Sequence, residues 1–454
     1  MEIAKGPSLK KLAIKGIAWT VVGYGASQIL RFGSNLILTR LLFPELFGLM
    51  SLVYVFITGL HLFSDLGLNA SIIKSKRGDE PDFLNTTWTL QVIRGTILWF
   101  CCLIIALPAS RFYNEPSLMW LIPVVGFNTF ISGFNSTYFA TLERHLAVKT
   151  KSLLELGFQV IGLVVTVAWA WLNPSIWSLV GSALIVSLIQ LFVSHWINKG
   201  EANQFAWDQS AFQEIFSFGK WMFLSTAIWF FASQTDRLIL GKLFSLEMLG
   251  VYGIAFTLAD IPRQIVFAIA TRVIYPTYSK LVDLPREQFR AKIMHYRKPL
   301  LIAATVGIAL AAGLGDLIID FLYDERYAAA GWMFPLLSLG VWPLVLIQTI
   351  DQGLWVLEKP FYWTIGLFFS FLFCFIGIPW GFHSSLGDKG AVLAVAVSNV
   401  PIWIVVLYGL WREKLLALRQ DLLMTLVLMI ILTVVVAIRL SLGLDSPFNG
   451  LMGA

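Results

Sequence analysis

The chain has 454 residues, 57% of them hydrophobic and only 13% charged, with a net charge of +6. A water-soluble chain would carry roughly a quarter charged residues; with 35 Phe, 18 Trp and a mean hydropathy of +0.76, this one cannot clothe a water-facing surface. A soluble enzyme, a disordered chain, a coiled coil and a disulfide-framed secreted fold are thereby excluded, and the positive balance marks membrane topology rather than nucleic-acid binding.

A helix needs about 20 apolar residues to cross a bilayer. Runs of that kind lie near 16–39, 46–68, 84–108, 117–140, 153–172, 175–197, 215–241, 246–270, 299–322, 332–355, 361–383, 390–411 and 420–443. The first lacks a small-residue cleavage site and more of its kind follow, so it reads as a membrane helix and not as a leader peptide. Thirteen spans predict an all-α polytopic membrane protein. The segments between spans alternate sharply, with 22 Lys and Arg on one side and 6 on the other. That split predicts a cytoplasmic N-terminus and a large basic cytoplasmic loop over 272–298. Cys101, Cys102 and Cys374 all sit in apolar runs and read as small core residues. No loop is long enough to fold as a catalytic module.

The chain repeats itself at an offset of 202 residues. Leu36-Ile37-Leu38-Thr39-Arg40-Leu41 corresponds to Leu238-Ile239-Leu240-Gly241-Lys242-Leu243, and Trp19, Glu45 and Gly48 correspond to Trp221, Glu247 and Gly250. Two six-helix lobes follow, residues 1–200 and 201–411, with 412–454 as an additional helix and tail. Because six is even, the lobes run parallel and are expected to be related by a pseudo-two-fold axis along the membrane normal, with a space between them that rocking would expose to each side in turn.

Charges at bilayer depth cost several kcal/mol and face a wet cavity or a partner. The cations at predicted depth are Arg31, Arg94, Lys220, Arg237 and Arg263; the acids are Asp65, Glu155, Asp236, Asp260, Asp316, Asp320 and Asp351. Arg31 lies about 24 Å along its helix from Lys15 and so falls in the outer half of the membrane. Arg237 corresponds in the repeat to Asn35, and Arg263 to His61. Arginine offers bidentate, charge-assisted bonds to phosphate oxygens, so Arg31, Arg94, Arg237 and Arg263 are expected to line a cationic cavity for a phosphate-bearing headgroup. His61, Asn128, Asn135 and Gln348 are expected on its sugar-binding polar faces; helix bridging is the competing role for such amides. Asp236, Asp260 and Asp351 are candidates for ion pairing or coupling. Asp260 and Arg263, three residues apart, stand equally as mutual neutralisers, whereas Asp236 points away from Arg237. Lys220 is expected to snorkel to the cytoplasmic face, and Asp65 and Asp316 to mark helix boundaries.

No two of the five histidines have metal-ligand spacing, Gly23-Tyr24-Gly25-Ala26-Ser27-Gln28 lacks the last glycine and the preceding strand of a dinucleotide site, and there is neither a phosphate-binding Walker loop nor a Gly-x-Ser-x-Gly elbow. No metal, cofactor, nucleic acid or ATP is expected to bind, and no enzymatic activity is expected.

Phe47-Gly48-Leu49-Met50 through Phe63-Ser64-Asp65-Leu66-Gly67-Leu68-Asn69-Ala70-Ser71-Ile72-Ile73 resembles the second-helix region of bacterial polysaccharide exporters. In the second lobe, Leu240-Gly241-Lys242-Leu243, Gly250-Val251-Tyr252 and Thr271-Arg272-Val273-Ile274-Tyr275-Pro276 agree with it. These are the Wzx-type oligosaccharide flippases of the multidrug/oligosaccharidyl-lipid/polysaccharide superfamily, nearest their colanic-acid-exporter branch. The resemblance implies two six-helix lobes around a central cationic cavity, in the inner membrane of a bacterium. It implies translocation of an undecaprenyl-diphosphate-linked oligosaccharide from the inner to the outer leaflet, with membrane lipids and other polysaccharide-assembly proteins as partners. Members carry twelve or fourteen helices, so a count of thirteen departs from the pattern at the C-terminal side. A flippase for a lipid II-type peptidoglycan precursor and a cation-coupled drug antiporter of the same superfamily are the alternatives.

Overall fold

The computed structural model describes residues 9–65, 67–198 and 202–452. All regular elements among the described residues are helical, and the chain divides into two compact units, residues 1–46 with 53–227 and residues 47–52 with 228–454. The first unit is built from α1 (Leu9–Leu41), α2 (Pro44–Phe63), α3 (Leu68–Lys74), α4 (Pro81–Tyr113), α5 (Leu118–Gly133), α6 (Tyr138–Arg144), α7 (Val148–Leu172), α8 (Ile176–Trp196) and the start of α9 (Gln209–Leu243). The second holds the rest of α9, then α10 (Leu246–Ala259), α11 (Ile261–Ile269), α12 (Tyr275–Ser279), α13 (Arg286–Gly313), α14 (Gly315–Leu322) and α15 (Ala330–Gly340). It continues with α16 (Trp342–Gln348), α17 (Gln352–Val356), α18 (Phe361–Phe382), α19 (Asp388–Val397), α20 (Asn399–Arg412), α21 (Leu418–Ser441) and the short α22 (Asn449–Met452).

Among the described residues eight helical stretches are long and apolar enough to cross a membrane, or eleven when three bent pairs each count as one. The helices α1 and α9, at 33 and 35 residues, have the length but stand outside that set. α1 carries Gln28, Arg31 and Asn35, and α9 carries Gln234, Asp236 and Arg237. The protein is a multi-pass membrane protein.

Three spans expected to be continuous are broken. α5 and α6 meet at 61°, α10 and α11 at 41°, and α13 and α14 at 70°. At the second break Pro262, in the first turn of α11, has no N–H to offer the preceding helix. The expected basic loop over 272–298 is also corrected: most of it is helix, because α13 begins at Arg286. Phe289, Ile293, Arg297 and Leu301 recur every fourth residue and are fully buried, while Arg290, Lys292 and Lys298 remain exposed. Arg297 thus stands on the buried stripe of α13 and not in cytoplasmic solvent.

Arg297 is one of two buried arginines that fasten α21. Its Nη2 donates to Asp421 Oδ1 at 2.7 Å and to the Leu346 carbonyl at 3.0 Å, and its Nε donates to Thr349 Oγ1 at 3.2 Å. At the other end of α21, Arg439 Nη1 and Nη2 donate to the two oxygens of Asp316, each at 2.6 Å. Arg439 Nη1 also donates to the Gly313 carbonyl at 2.8 Å, an acceptor left free where α13 breaks into α14. Asp316, expected as a boundary residue, is therefore half of a clamp. Elsewhere in the second unit, a β-carbon on Gly48 would lie 1.9 Å from the Leu246 carbonyl oxygen, so backbone touches backbone there.

Candidate functional site

Each unit contains a polar cavity beside a broken helix. Cavity 1, in the first unit, has a volume of about 430 Å³. Its first wall forms where α2 stops. Asp65 Oδ1 accepts from the Gly67 N–H at 2.9 Å, and Gly67, at φ +63°, makes the left-handed turn that glycine adopts without strain. That turn sends the chain into α3 and places His61, Asp65 and Asn69 on the lining.

The opposite wall is α4. Arg94 Nε donates to Ser64 Oγ at 3.0 Å, and its Nη2 donates to the His61 carbonyl at 2.8 Å. Both acceptors are uncharged, and Arg94 makes no ion pair with Asp65, the acid that shares its cavity lining. Gln91 Nε2 donates to the carbonyls of Ser132, Gly133 and Asn135 at 3.2, 3.2 and 3.0 Å, serving the acceptors that the α5–α6 break frees. Gly95 lets the two helices close up: a β-carbon there would meet the Thr129 carbonyl oxygen at 2.6 Å. Asn135 lines the cavity, and its buried Oδ1 receives no hydrogen bond.

Cavity 2, in the second unit, has a volume of about 340 Å³ and lies among α9, α10, α11, α15, α16, α18, α19 and α20. It brings together Asp236, Arg237, Asp260, Arg263 and Gln348. The local geometry assigns each a different state. Arg263 grips Asp260 with two hydrogen bonds, Nε to Oδ1 and Nη2 to Oδ2, the latter at 2.7 Å. Gln264 Nε2 also donates to Asp260, at 3.1 Å. Asp236 accepts from the Tyr252 hydroxyl at 2.6 Å. Arg237 Nη1 donates to Gln234 Oε1 at 3.1 Å, and its guanidinium rests 5.3 Å from the centre of the Phe256 ring. An amide and a ring are neutral, so Arg237 forms no ion pair, although Asp236 and Asp260 share its cavity lining. Gln348, 2% exposed, has an Oε1 without a donor.

The remaining expected residues fall elsewhere. Arg31 is exposed on α1 and lines neither cavity. Asn128 is half-buried on α5, outside the lining of cavity 1, and its Oδ1 receives no hydrogen bond. Asp351, 4% exposed in the break between α16 and α17, accepts from Gln352 Nε2 at 3.0 Å and does not line cavity 2. The side chains of Lys220 and Trp221 lie outside the described residues. Sequence reasoning passed over Gln91, Ser132 and Asn69 in cavity 1, and Gln234, Ser370 and Asn399 in cavity 2. A usable signal existed for the first of these: Gln91 stands one helical turn from Arg94.

Comparison with known proteins gives the family. The model of a family described as polysaccharide biosynthesis protein matches residues 37–330. The chain is 21% identical over 410 residues to the teichuronic acid biosynthesis protein TuaB of Bacillus subtilis (strain 168), covering 88% of this chain and 83% of that one. It is 20% identical over 344 residues to the succinoglycan biosynthesis transport protein ExoT of Rhizobium meliloti (strain 1021), covering 76% and 67%. Among solved structures, the lipid II flippase MurJ in an inward closed conformation matches with a TM-score of 0.70 and 15% identity, over 95% of this chain and 94% of that one. That likeness shows the fold, two lobes of membrane helices, as the resemblance read from residues 47–73 and 240–276 implied. The family match spans the end of α1 through the start of α15, including Arg94, Arg237, Asp260 and Arg263, and the chain belongs to the polysaccharide biosynthesis protein family.

Proposed function

We propose that this protein is a flippase that carries an undecaprenyl-diphosphate-linked oligosaccharide from the cytoplasmic to the outer leaflet by alternating access, for the assembly of a surface polysaccharide. The observation that carries this reading is Arg237: a guanidinium at the wall of a membrane-embedded cavity whose side-chain partners, Gln234 and Phe256, are neutral. Such a charge is costly to leave unused and is suited to a diphosphate. Arg94 has the same character in cavity 1. Asn135 and Gln348 supply unpaired amide oxygens that accept from sugar hydroxyls.

The task is physical rather than chemical. A sugar-diphosphate head that crosses hydrocarbon unaided must shed water from every hydroxyl and both phosphates. Polar cavities replace that water along the path while the polyprenyl chain remains in lipid, and no covalent bond is made or broken. The lobes, taken as residues 1–200 and 201–411 and related by a pseudo-two-fold axis, are the moving halves, with 412–454 appended to the second. The chain sits in the bacterial inner membrane with its N-terminus in the cytoplasm, among membrane lipids and other polysaccharide-assembly proteins. TuaB and ExoT, named for polysaccharide biosynthesis and transport, and MurJ, named as a lipid II flippase, support this reading.

The test is transfer in proteoliposomes of an undecaprenyl-diphosphate-linked oligosaccharide bearing a fluorescent sugar, with lipid II run in parallel. Wild type is expected to move the oligosaccharide substrate well above the protein-free rate, and Arg237→Ala to reduce transfer tenfold or more. Transfer by wild type no faster than in empty liposomes sinks the proposal, and transfer of lipid II alone replaces its substrate.

A further inference from the structure

The connector that leads from α8 into α9 is laced to the first unit. The α5–α6 break leaves the N–H groups of Ser136 and Thr137 without helical acceptors. Ser194 Oγ, on α8, accepts from the Ser136 N–H at 3.0 Å. The connector supplies the rest through Asn203. Its Oδ1 accepts from the Thr137 N–H at 3.2 Å and from Ser136 Oγ at 2.9 Å, and its Nδ2 donates to Thr137 Oγ1 at 2.9 Å. Ser136 and its neighbour Asn135 line cavity 1.

From Asn203 the chain runs along the N-terminal end of α4. The N–H groups of Gln204, Ala206 and Asp208 donate to Asn85 Oδ1, Thr89 Oγ1 and Thr86 Oγ1 at 3.0, 3.2 and 2.9 Å. Phe205 packs on Trp88, with ring centres 4.8 Å apart. Arg77 pins the far end, donating from Nη2 to Asp208 Oδ2 at 2.6 Å and from Nη1 to Ser210 Oγ at 2.7 Å. Ala211 and Ile215, the first turns of α9, are then buried with Leu68, Ile72 and Phe83.

We propose that Asn203 is a positioning residue for cavity 1. It holds the α5–α6 break, and with it Asn135 and Ser136, in the arrangement that receives the sugar-diphosphate head, and the Arg77–Asp208 pair delivers it there. This deepens the flippase reading and rests on it. Asn203 does not touch substrate; it acts through Ser136 and Thr137. This segment leads directly into α9.

The proteoliposome assay tests this when transfer is measured against substrate concentration. Asn203→Ala is expected to raise the half-saturating concentration about fivefold or more while the maximal rate changes less than twofold. Asn203→Asp keeps both acceptor contacts and is expected to restore wild-type half-saturation. Arg77→Asp and Asp208→Arg are each expected to raise half-saturation about twofold, and the double exchange to bring it back. An unchanged half-saturation in Asn203→Ala overturns the proposal, whatever the maximal rate. Should that variant fail to assemble, Asp208→Asn at the exposed end decides in its place: a rise supports and no change overturns.

Failure of the flippase reading shows separately, as absent transfer by wild type. Positioning is then read by thiol labelling at Asn135→Cys in a chain with Cys101, Cys102 and Cys374 replaced by Ala. Asn203→Ala is expected to raise the labelling rate at least threefold, and an equal rate refutes the proposal without reference to transport.

Discussion

Cavity 2 and the α13–α21 clamp lie in the same unit, and both bring arginine into the membrane. At the clamp, Arg297 and Arg439 each meet a carboxylate, and backbone carbonyls take further donors. In cavity 2, Arg263 is neutralised in the same way, but Arg237 has only an amide and a ring. A matched pair at depth fastens helices, whereas a guanidinium with neutral hydrogen-bond partners beside an open volume is the one we propose to receive an anion from outside the chain.

The comparison can be broken most forcefully at the clamp. Arg297→Ala strands Asp421 in a buried site, and losing one partner of such a pair costs about 3–5 kcal/mol. A large fall in the unfolding temperature in detergent is expected, with Arg297→Met/Asp421→Leu recovering most of it. A single variant as stable as wild type would show that the pair fastens nothing. Next in size, Arg237→Ala should reduce transfer tenfold or more while the unfolding temperature moves by only a degree or two. A stability loss like that of Arg297→Ala would make Arg237 architectural as well.

Arg263 sharpens the contrast. Because Asp260 already satisfies it, the double variant Arg263→Ala/Asp260→Ala should keep transfer within about threefold of wild type. A loss as deep as that of Arg237→Ala would show that the pair opens during turnover. The smallest effect concerns pH at the Arg77–Asp208 pair. Arg77, and after it Ser210, holds the Asp208 carboxyl down to about 2 from its ordinary 3.8. A depressed carboxylate stabilises its fold above its ordinary value and loses that contribution as pH falls through the lowered one. The Arg77–Asp208 contribution should therefore be constant from pH 8 to 5, measured as the ratio of half-saturation in Asp208→Asn to wild type.

The sequence made the spans readable because apolar runs of bilayer length and the sidedness of basic residues are strong, redundant signals. Even α1 and α9 were legible, as runs of bilayer length near 16–39 and 215–241, despite the polar residues they carry. The breaks were less legible. Asn135, with Ser136 and Thr137 after it, reads as well as a polar face as a bend, and Pro262 beside Asp260 was the one local helix breaker that marked the second break. Arg297 was misread because six other basic residues surround it in the sequence, and only the four-residue spacing with Phe289, Ile293 and Leu301 separates it from them. The states of Arg237 and Arg263 were partly legible. The three-residue spacing of Asp260 and Arg263 allowed their pairing and the adjacency of Asp236 and Arg237 disfavoured theirs, while the Tyr252 hydroxyl on Asp236 gave no sequence signal.

The clamp also constrains descent. Its acids and bases are divided between α21 and the preceding body of the second unit: Asp421 answers Arg297, and Arg439 answers Asp316. A shorter ancestor or descendant ending near residue 412 would inherit an arginine in hydrocarbon with no counter-charge. Gain or loss of this helix must therefore be accompanied by substitutions at 297 and 316, and homologues that differ in helix number should differ at those two positions together.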